Sequence, residues 1–161
     1  MRVILDTTYI LPAFNIVTKK FGKKDFKFLL ESDLERIVHQ ALIIESKWVL
    51  LGLIRGGRIK EPNRAFTDFN EGLRFLKYGG KFRFIDTLDE RVDLNETEIY
   101  TNLGITDYFD RIIIATAMAY DAILLTEDED ILDLRDAKTK IWNGIKILSW
   151  HEFKKELLST P

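Results

Sequence analysis

The chain has 161 residues, of which 46% are hydrophobic and 31% are charged, and its formal net charge at pH 7 is -2. This size and balance fit one globular domain with a sizeable core, so residues 1–161 are expected to form a single domain. The near-neutral charge excludes a uniformly basic nucleic-acid binder, so any polyanion must meet local basic patches or metal ions. Cysteine is absent, which excludes disulfide frameworks and thiolate metal sites.

Membrane insertion and export are not expected. No apolar run reaches the roughly 20 residues that a membrane-spanning helix needs. Asp6 interrupts the apolar N-terminal stretch, and no small-residue cleavage site follows it, so no signal peptide is predicted. We therefore expect a cytoplasmic protein.

The first half of the chain alternates short strands with helices. Residues 2–5 are a continuous apolar run that ends in Asp6, a pattern typical of a strand buried on both faces of a parallel sheet. The elements expected after it are a short helix at 9–14, a short helix around 26–30, a weak strand at 36–39, helices at 41–55 and 62–78, and a strand at 82–85.

The predicted helix at 41–55 carries a conspicuous charge. It is apolar nearly all round, as a buried helix is, yet Glu45 lies within it. A buried carboxylate is costly unless it is paired or metal-bound. Neither Lys47 nor Arg55 lies three or four positions from Glu45, so a simple ion pair on the same helix face is not expected.

The second half is organised around residues 106–131, an apolar stretch with acidic residues at both ends. We predict a buried helix at 107–120, a turn at Asp121 and a buried strand at 122–126. Because helix and strand run antiparallel, the end of the strand should lie near the start of the helix. The flanking predictions are a helix at 89–102 stopped by Gly104, a loop with local turns at 133–143, a strand at 145–148, and a closing helix at 151–158 with a capping box between Ser149 and Glu152.

Four acidic residues fall at predicted strand ends or in predicted helices of this α/β pattern. Such strand ends are where open α/β sheets bind their ligands. Carboxylates that converge raise one another's pKa or require cations. Ligand sets made only of oxygen select hard ions such as Mg²⁺ or Mn²⁺, which points to phosphoryl chemistry. The four residues are Asp6, Glu45, Asp110 and Asp128.

These blocks resemble the PIN-domain ribonucleases, most closely the VapC-type toxin nucleases. Asp6 directly follows VIL, Glu45 follows ALII, Asp110 opens DRIIIATA, and TEDED at 126–130 closes the run at the family spacing. Asp121 stands where Gly is common in the family, and Ile131 replaces a frequent Phe. The resemblance implies one PIN-like nuclease domain over residues 1–161, a three-layer α/β fold whose central, mainly parallel sheet of about five strands is flanked by helices.

The resemblance also implies a function. Asp6, Asp110 and Asp128 would bind Mg²⁺ or Mn²⁺, and Glu45 would complete the catalytic site. Thr126 or Thr8 would hydrogen-bond a ligand carboxylate or a metal-bound water. Metal-activated water would cleave RNA and leave 3′-hydroxyl and 5′-phosphate ends.

The partners that the resemblance implies are RNA, a second copy of the chain in a homodimer, and an antitoxin. An arginine of such an inhibitor would suit the acidic cluster.

Several of these residues also have simpler interpretations. Asp107 and Asp6 can cap the helices that follow them, and Asp110 can complement a helix dipole. Glu127, Glu129 and Asp130 can form a solvated acidic turn, although Asp130 remains a candidate supporting residue. Basic residues that can contact RNA phosphate, or simply form a solvated face, are Lys19, Lys20, Lys23, Lys24, Arg55, Arg58 and Lys60.

Two rival functions share this pattern. The first is a non-catalytic RNA-binding or scaffolding module on the same fold. The second is a phosphorelay receiver or an acid-nucleophile phosphatase. A receiver needs an acidic pair in its first loop, and the phosphatase needs D-x-D where this chain has Asp6, Thr7 and Thr8, so this second rival is disfavoured.

Overall fold

The computed structural model describes residues 1–136 and 145–159. The predicted loop at 133–143 therefore lies mostly outside the described residues. One sheet contains the strands β1 (Arg2–Leu5), β2 (Glu35–His39), β3 (Phe82–Ile85), β4 (Ile123–Leu125) and β5 (Ile147–Leu148). Their order is β3-β2-β1-β4-β5, and every described pairing is parallel. The predicted α/β class and parallel sheet are confirmed.

Helices flank this sheet. They are α1 (Thr7–Ile10), α2 (Lys23–Glu31), α3 (Ala41–Arg55), α4 (Pro62–Tyr78), α5 (Glu90–Leu103), α6 (Tyr108–Tyr120), α7 (Glu129–Asp133) and α8 (Trp150–Ser159), with 3₁₀ turns at Leu11–Phe14 and Leu134–Asp136. The predicted bounds of α3, α4 and β3 are confirmed. The helix α7 corrects the prediction of an acidic turn.

The centre of the sheet is β1, which pairs with β2 on one side and β4 on the other. Val3, Ile4 and Leu5 are all fully buried, as expected for a strand covered on both faces. The backbone amide of Asp6 donates a 3.1 Å hydrogen bond to the carbonyl of Leu125. The ends of β1 and β4 are thus joined at one edge of the sheet.

The helix α6 and strand β4 form the expected antiparallel unit. The Asp107 side chain caps α6 by accepting hydrogen bonds from the amides of Phe109 and Asp110 at 2.8 and 3.2 Å. Asp121 ends the helix in the left-handed conformation with φ 48°, a conformation that Asp tolerates better than most residues. The end of β4 consequently lies beside the start of α6.

The prediction that α3 is buried on all sides is wrong. Its buried side chains are Ala41, Leu42, Ser46 and Leu50, whereas Ile44 and Trp48 are 51% and 61% exposed. One apolar face of α3 is therefore uncovered in the isolated chain. The rings of Trp48 and Phe109 meet edge to face, with centroids 5.4 Å apart.

A buried arginine joins α2 to β2. The guanidinium of Arg36 donates to the carbonyls of Leu29, Leu34 and Leu30 at 2.8, 2.9 and 3.1 Å, and also to the carbonyl of Ser32. These carbonyls include some that the end of a helix leaves without intrahelical partners. Arg36 therefore caps α2 from the neighbouring strand.

In the described ranges, no helix is long and apolar enough to cross a membrane.

Candidate active site

A cleft of about 340 Å³ lies at the edge of the sheet where β1 and β4 end. All four predicted catalytic acids line it, so residues far apart in sequence do share one site. None of the four forms an ion pair with a described lysine or arginine. The cleft is lined by Asp6, Thr7, Thr8, Leu11, Thr18, Lys19, Lys20, Glu45, Val49, Asp110, Glu127 and Asp128.

Asp6 and Asp128 are connected by a buried threonine. Thr126 donates a 2.8 Å hydrogen bond from its hydroxyl to Oδ2 of Asp6 and accepts a 3.0 Å bond from the amide of Asp128. The contact with Asp6 is the one expected for Thr126. Oδ1 of Asp6 also accepts from the amide of Thr7, capping α1. The helix-capping interpretation of Asp6 and its place in the cleft are thus compatible.

Glu45 enters the cleft from the second turn of α3. Its Oε2 accepts a hydrogen bond from the hydroxyl of Thr7, a buried residue. Thr8, predicted to support the site, lines the cleft but makes no hydrogen bond to a carboxylate of the described chain. The sequence prediction began the first helix at residue 9, whereas α1 begins at Thr7, and this difference concealed the role of Thr7.

Asp110 lies in the first turn of α6, directly after the cap formed by Asp107. Burial, with the charges of Asp107 and Asp128, raises the pKa of Asp110 to about 7. Asp130 adds to the same repulsion, although Asp107 and Asp130 are themselves exposed and do not line the cleft. Both act on the site through their charge.

The carboxylates of the cleft oppose one another's ionisation. Burial raises the pKa of Asp6 to about 7 against the lowering effect of the Thr126 hydrogen bond, and the charge of Glu45 adds to the increase. Burial also raises the pKa of Glu45, assisted by the charges of Asp107 and Asp110. Without cations, the cleft therefore retains protons near neutral pH.

The donor chemistry of this cleft fits a hard divalent cation, since its acidic ligands offer only oxygen. Across residues 1–136 and 145–159, however, no three or more His, Asp or Glu side chains are arranged to hold a metal ion together. Some carboxylate oxygens of the cleft accept local hydrogen bonds: Asp128 Oδ1 accepts from the amides of Asp130 and Ile131 at 2.9 and 3.3 Å.

Glu127 has a structural role that the sequence did not indicate. Its Oε1 accepts 2.9 Å hydrogen bonds from the Tyr9 hydroxyl and from the amide of Trp150. The interpretation of Glu127 as a solvated turn residue is therefore wrong. By joining α1 to the start of α8, Glu127 fixes the segment that carries Asp128.

The carboxylates gather where the central strands of the parallel sheet end. The protein is thus an α/β protein with an acidic site at the topological switch point of its sheet. The family model of the PIN domain matches residues 3–137. The chain belongs to the PIN-domain family, which is a family of nucleases.

Solved structures share this fold. PAE2754 from Pyrobaculum aerophilum has a TM-score of 0.64 at 17% identity, with 99% of this chain and 91% of that chain covered. VapBC2 from Rickettsia felis, bound to a promoter DNA fragment, has a TM-score of 0.61 at 14% identity, with 93% and 99% covered. DNA-bound VapBC from Salmonella typhimurium has a TM-score of 0.57 at 16% identity, with 93% and 98% covered. No curated protein sequence matches the chain.

Proposed function

We propose that this protein is a Mg²⁺- or Mn²⁺-dependent endoribonuclease that hydrolyses RNA phosphodiester bonds. The observation that carries the proposal is the shared cleft of Asp6, Glu45, Asp110 and Asp128. Burial, together with the charges of neighbouring carboxylates, raises the pKa values of Asp6 and Asp110 to about 7. A bound cation stabilises such a cluster by offsetting the repulsion between its carboxylates.

In this proposal Asp6, Asp110 and Asp128 hold the metal. When bound, the cation supplies Lewis acidity and lowers the pKa of a coordinated water. Thr126 orients Asp6 through its hydrogen bond. Oε2 of Glu45 accepts a hydrogen bond from Thr7, whereas Oε1 accepts none from the described residues. The raised pKa of Glu45 makes Oε1 a better proton acceptor.

The test is cleavage of single-stranded RNA by the purified chain. We expect cleavage with Mg²⁺ or Mn²⁺, none with EDTA, and products with 3′-hydroxyl and 5′-phosphate ends. Asp110→Asn should abolish cleavage while circular dichroism shows an unchanged fold, because the substitution removes a ligand charge but little volume. Asp68→Asn on α4 is the matched control, because Asp68 is a half-buried carboxylate outside the cleft, and it should retain activity. Equal cleavage by wild type and Asp110→Asn would reject the assignment.

The rival function is a non-catalytic RNA-binding module. The observation that favours it is the lack of a ready three-residue metal site in the described ranges. It predicts RNA binding that persists in EDTA and no cleavage of any RNA in either metal.

We further propose that the protein is the toxin of a toxin–antitoxin pair. The similar structures named VapBC support this partner class. An antitoxin arginine placed in the cleft would meet several carboxylates in charge-assisted hydrogen bonds. Cleavage should therefore be inhibited by the product of an adjacent reading frame, and replacing the inhibitor's arginines by glutamine should relieve the inhibition.

A homodimer is part of the same proposal. The exposed Ile44 and Trp48 on α3 form an apolar face that a second copy would cover, since such faces mark interaction surfaces. Light scattering should give a dimer for wild type and a monomer for Trp48→Glu.

We also propose that residues 1–161 act as one PIN-like nuclease domain and that the enzyme works in the cytoplasm on RNA.

A further inference from the structure

The turn at residues 18–21 forms part of the wall of the acidic cleft. Thr18 Oγ1 accepts a 3.0 Å hydrogen bond from the amide of Phe21 and donates a 3.1 Å bond to the carbonyl of the same residue. Phe21 is fully buried, and its ring meets Tyr9 and Trp150 edge-on with centroids 4.8 and 5.0 Å apart. The turn is therefore anchored in the core.

Two lysines occupy the tip of this anchored turn, and both line the cleft. Lys20 is already engaged: its Nζ donates a 2.9 Å hydrogen bond to the carbonyl of Glu127 and lies 3.7 Å from the carboxylate of Glu129. Lys19 forms no ion pair or hydrogen bond with any residue in the described ranges, although the cleft beside it is rich in carboxylates. Its ammonium group is exposed and available to a ligand.

We propose that Lys19 binds a phosphate of the substrate, next to the phosphodiester that is cleaved. This inference rests on the proposed nuclease function and adds a residue that positions the RNA backbone. The reacting phosphate must approach the carboxylates, and its neighbours must pass the rim of a negatively charged cleft. A lysine on an anchored turn offsets that repulsion as a point charge, and it does so without reading the base.

The experiment measures binding of a fluorescent single-stranded RNA by anisotropy at several salt concentrations. The Asp110→Asn background with Mg²⁺ prevents cleavage during the measurement. We expect Lys19→Ala to weaken binding by about five- to tenfold at low salt. It should also reduce the slope of log affinity against log salt by about 0.7, the value for one phosphate contact on a single strand.

Lys77→Ala is the matched control, because it removes the same charge from an exposed position at the end of α4, outside the cleft. It should leave both the affinity and the salt slope unchanged. Lys19→Arg keeps the charge and should restore most of the binding. In the active background, Lys19→Ala should raise KM and leave kcat nearly unchanged, since a phosphate-positioning residue acts on binding.

The inference is overturned if Lys19→Ala binds RNA with the affinity and salt slope of Lys77→Ala. If wild type cleaves RNA in the same study, the role of Lys19 is then rejected while the nuclease proposal stands. If wild type cleaves no RNA with either metal, the nuclease proposal fails, and the binding series still decides whether Lys19 contacts phosphate.

Discussion

The hydroxyl of Thr126 donates a 2.8 Å hydrogen bond to Oδ2 of Asp6, although 120 positions separate the two residues in the chain. The hydroxyl oxygen of Thr126 also accepts a 3.0 Å hydrogen bond from the amide of Asp128. Since Thr126 is fully buried, these bonds cannot be replaced by water without a local rearrangement. One threonine thus sets the relative position of two cleft carboxylates.

Replacing this threonine by valine should destabilise the protein. Thr126→Val keeps the side-chain volume but leaves Oδ2 of Asp6 and the amide of Asp128 without a partner. We expect the free energy of unfolding to fall by about 1–3 kcal/mol, as measured by urea denaturation in EDTA. Thr126→Ser keeps the hydroxyl and should lose less. A valine variant as stable as wild type would contradict this role.

The metal-free protein should become less stable as the pH rises from 6.5 to 8. The pKa values of Asp6 and Asp110 are raised to about 7, above those of an unfolded chain, so their stabilising protons are lost in this range. The pKa values of Asp89 and Glu152 are lowered to about 2 by their hydrogen bonds, and they titrate far below it. Burial lowers the pKa of His39, so this group has the opposite effect: stability rises by about 0.4 kcal/mol as the unfolded histidine loses its proton above pH 6.5.

Thermal denaturation in EDTA measures this pH effect. We expect a net loss of about 1 kcal/mol after the opposing effect of His39, or about 2–4 °C in Tm. Asp110→Asn removes one titrating group and its repulsion, and should therefore melt above wild type at pH 8. Millimolar Mg²⁺ or Mn²⁺ should raise the Tm of wild type more than that of the variant. A wild-type Tm that rises between pH 6.5 and 8 would refute the predicted sign.

The buried arginine of β2 should not be replaceable by lysine. Arg36→Lys keeps the charge but cannot reach the several carbonyls that the guanidinium fork satisfies. Buried carbonyls would lose their donors, and we expect about 2–4 kcal/mol less stability by urea denaturation. Arg83→Lys on β3 is the control, because its ion pair with Glu35 is half exposed and worth less than about 1 kcal/mol.

Two helical glycines should respond in opposite directions to alanine. A Cβ at Gly72 of α4 would lie 2.2 Å from the carbonyl oxygen of Ala13 and 2.7 Å from the ring of Phe14. Gly72→Ala should therefore separate α4 from the 3₁₀ turn and cost about 1–3 kcal/mol. Gly52 of α3 has nothing within 4 Å of such an atom, so Gly52→Ala should gain about 0.5–1 kcal/mol from helix propensity.

The sequence predicted most of the fold because its strongest patterns are local. Apolar runs, helix caps and the glycines or Asp121 that end helices predicted α3, α4, α6 and the alternation of strands and helices along the chain. Patterns of hydrophobicity do not identify which neighbour covers a helix, so the exposure of Trp48 was missed.

The convergence of the acids was also predictable, because parallel strands end at one edge of a sheet. The contacts within the cleft were not. Thr7 and Glu127 act through side chains from elements distant in sequence, and no spacing rule relates such residues. The role of Arg36 was missed for the same reason, since its partners are carbonyls that no side-chain pattern records.

The position of β4 beside β1 has a consequence during protein synthesis. A chain still emerging from the ribosome can pair β1 with β2 early, but it lacks β4 and the segment with Thr126 and Asp128 until most of its length has been translated. The growing polypeptide therefore has no complete acidic cleft until this segment has been made. The cleft is therefore assembled only after translation of the last neighbour of β1.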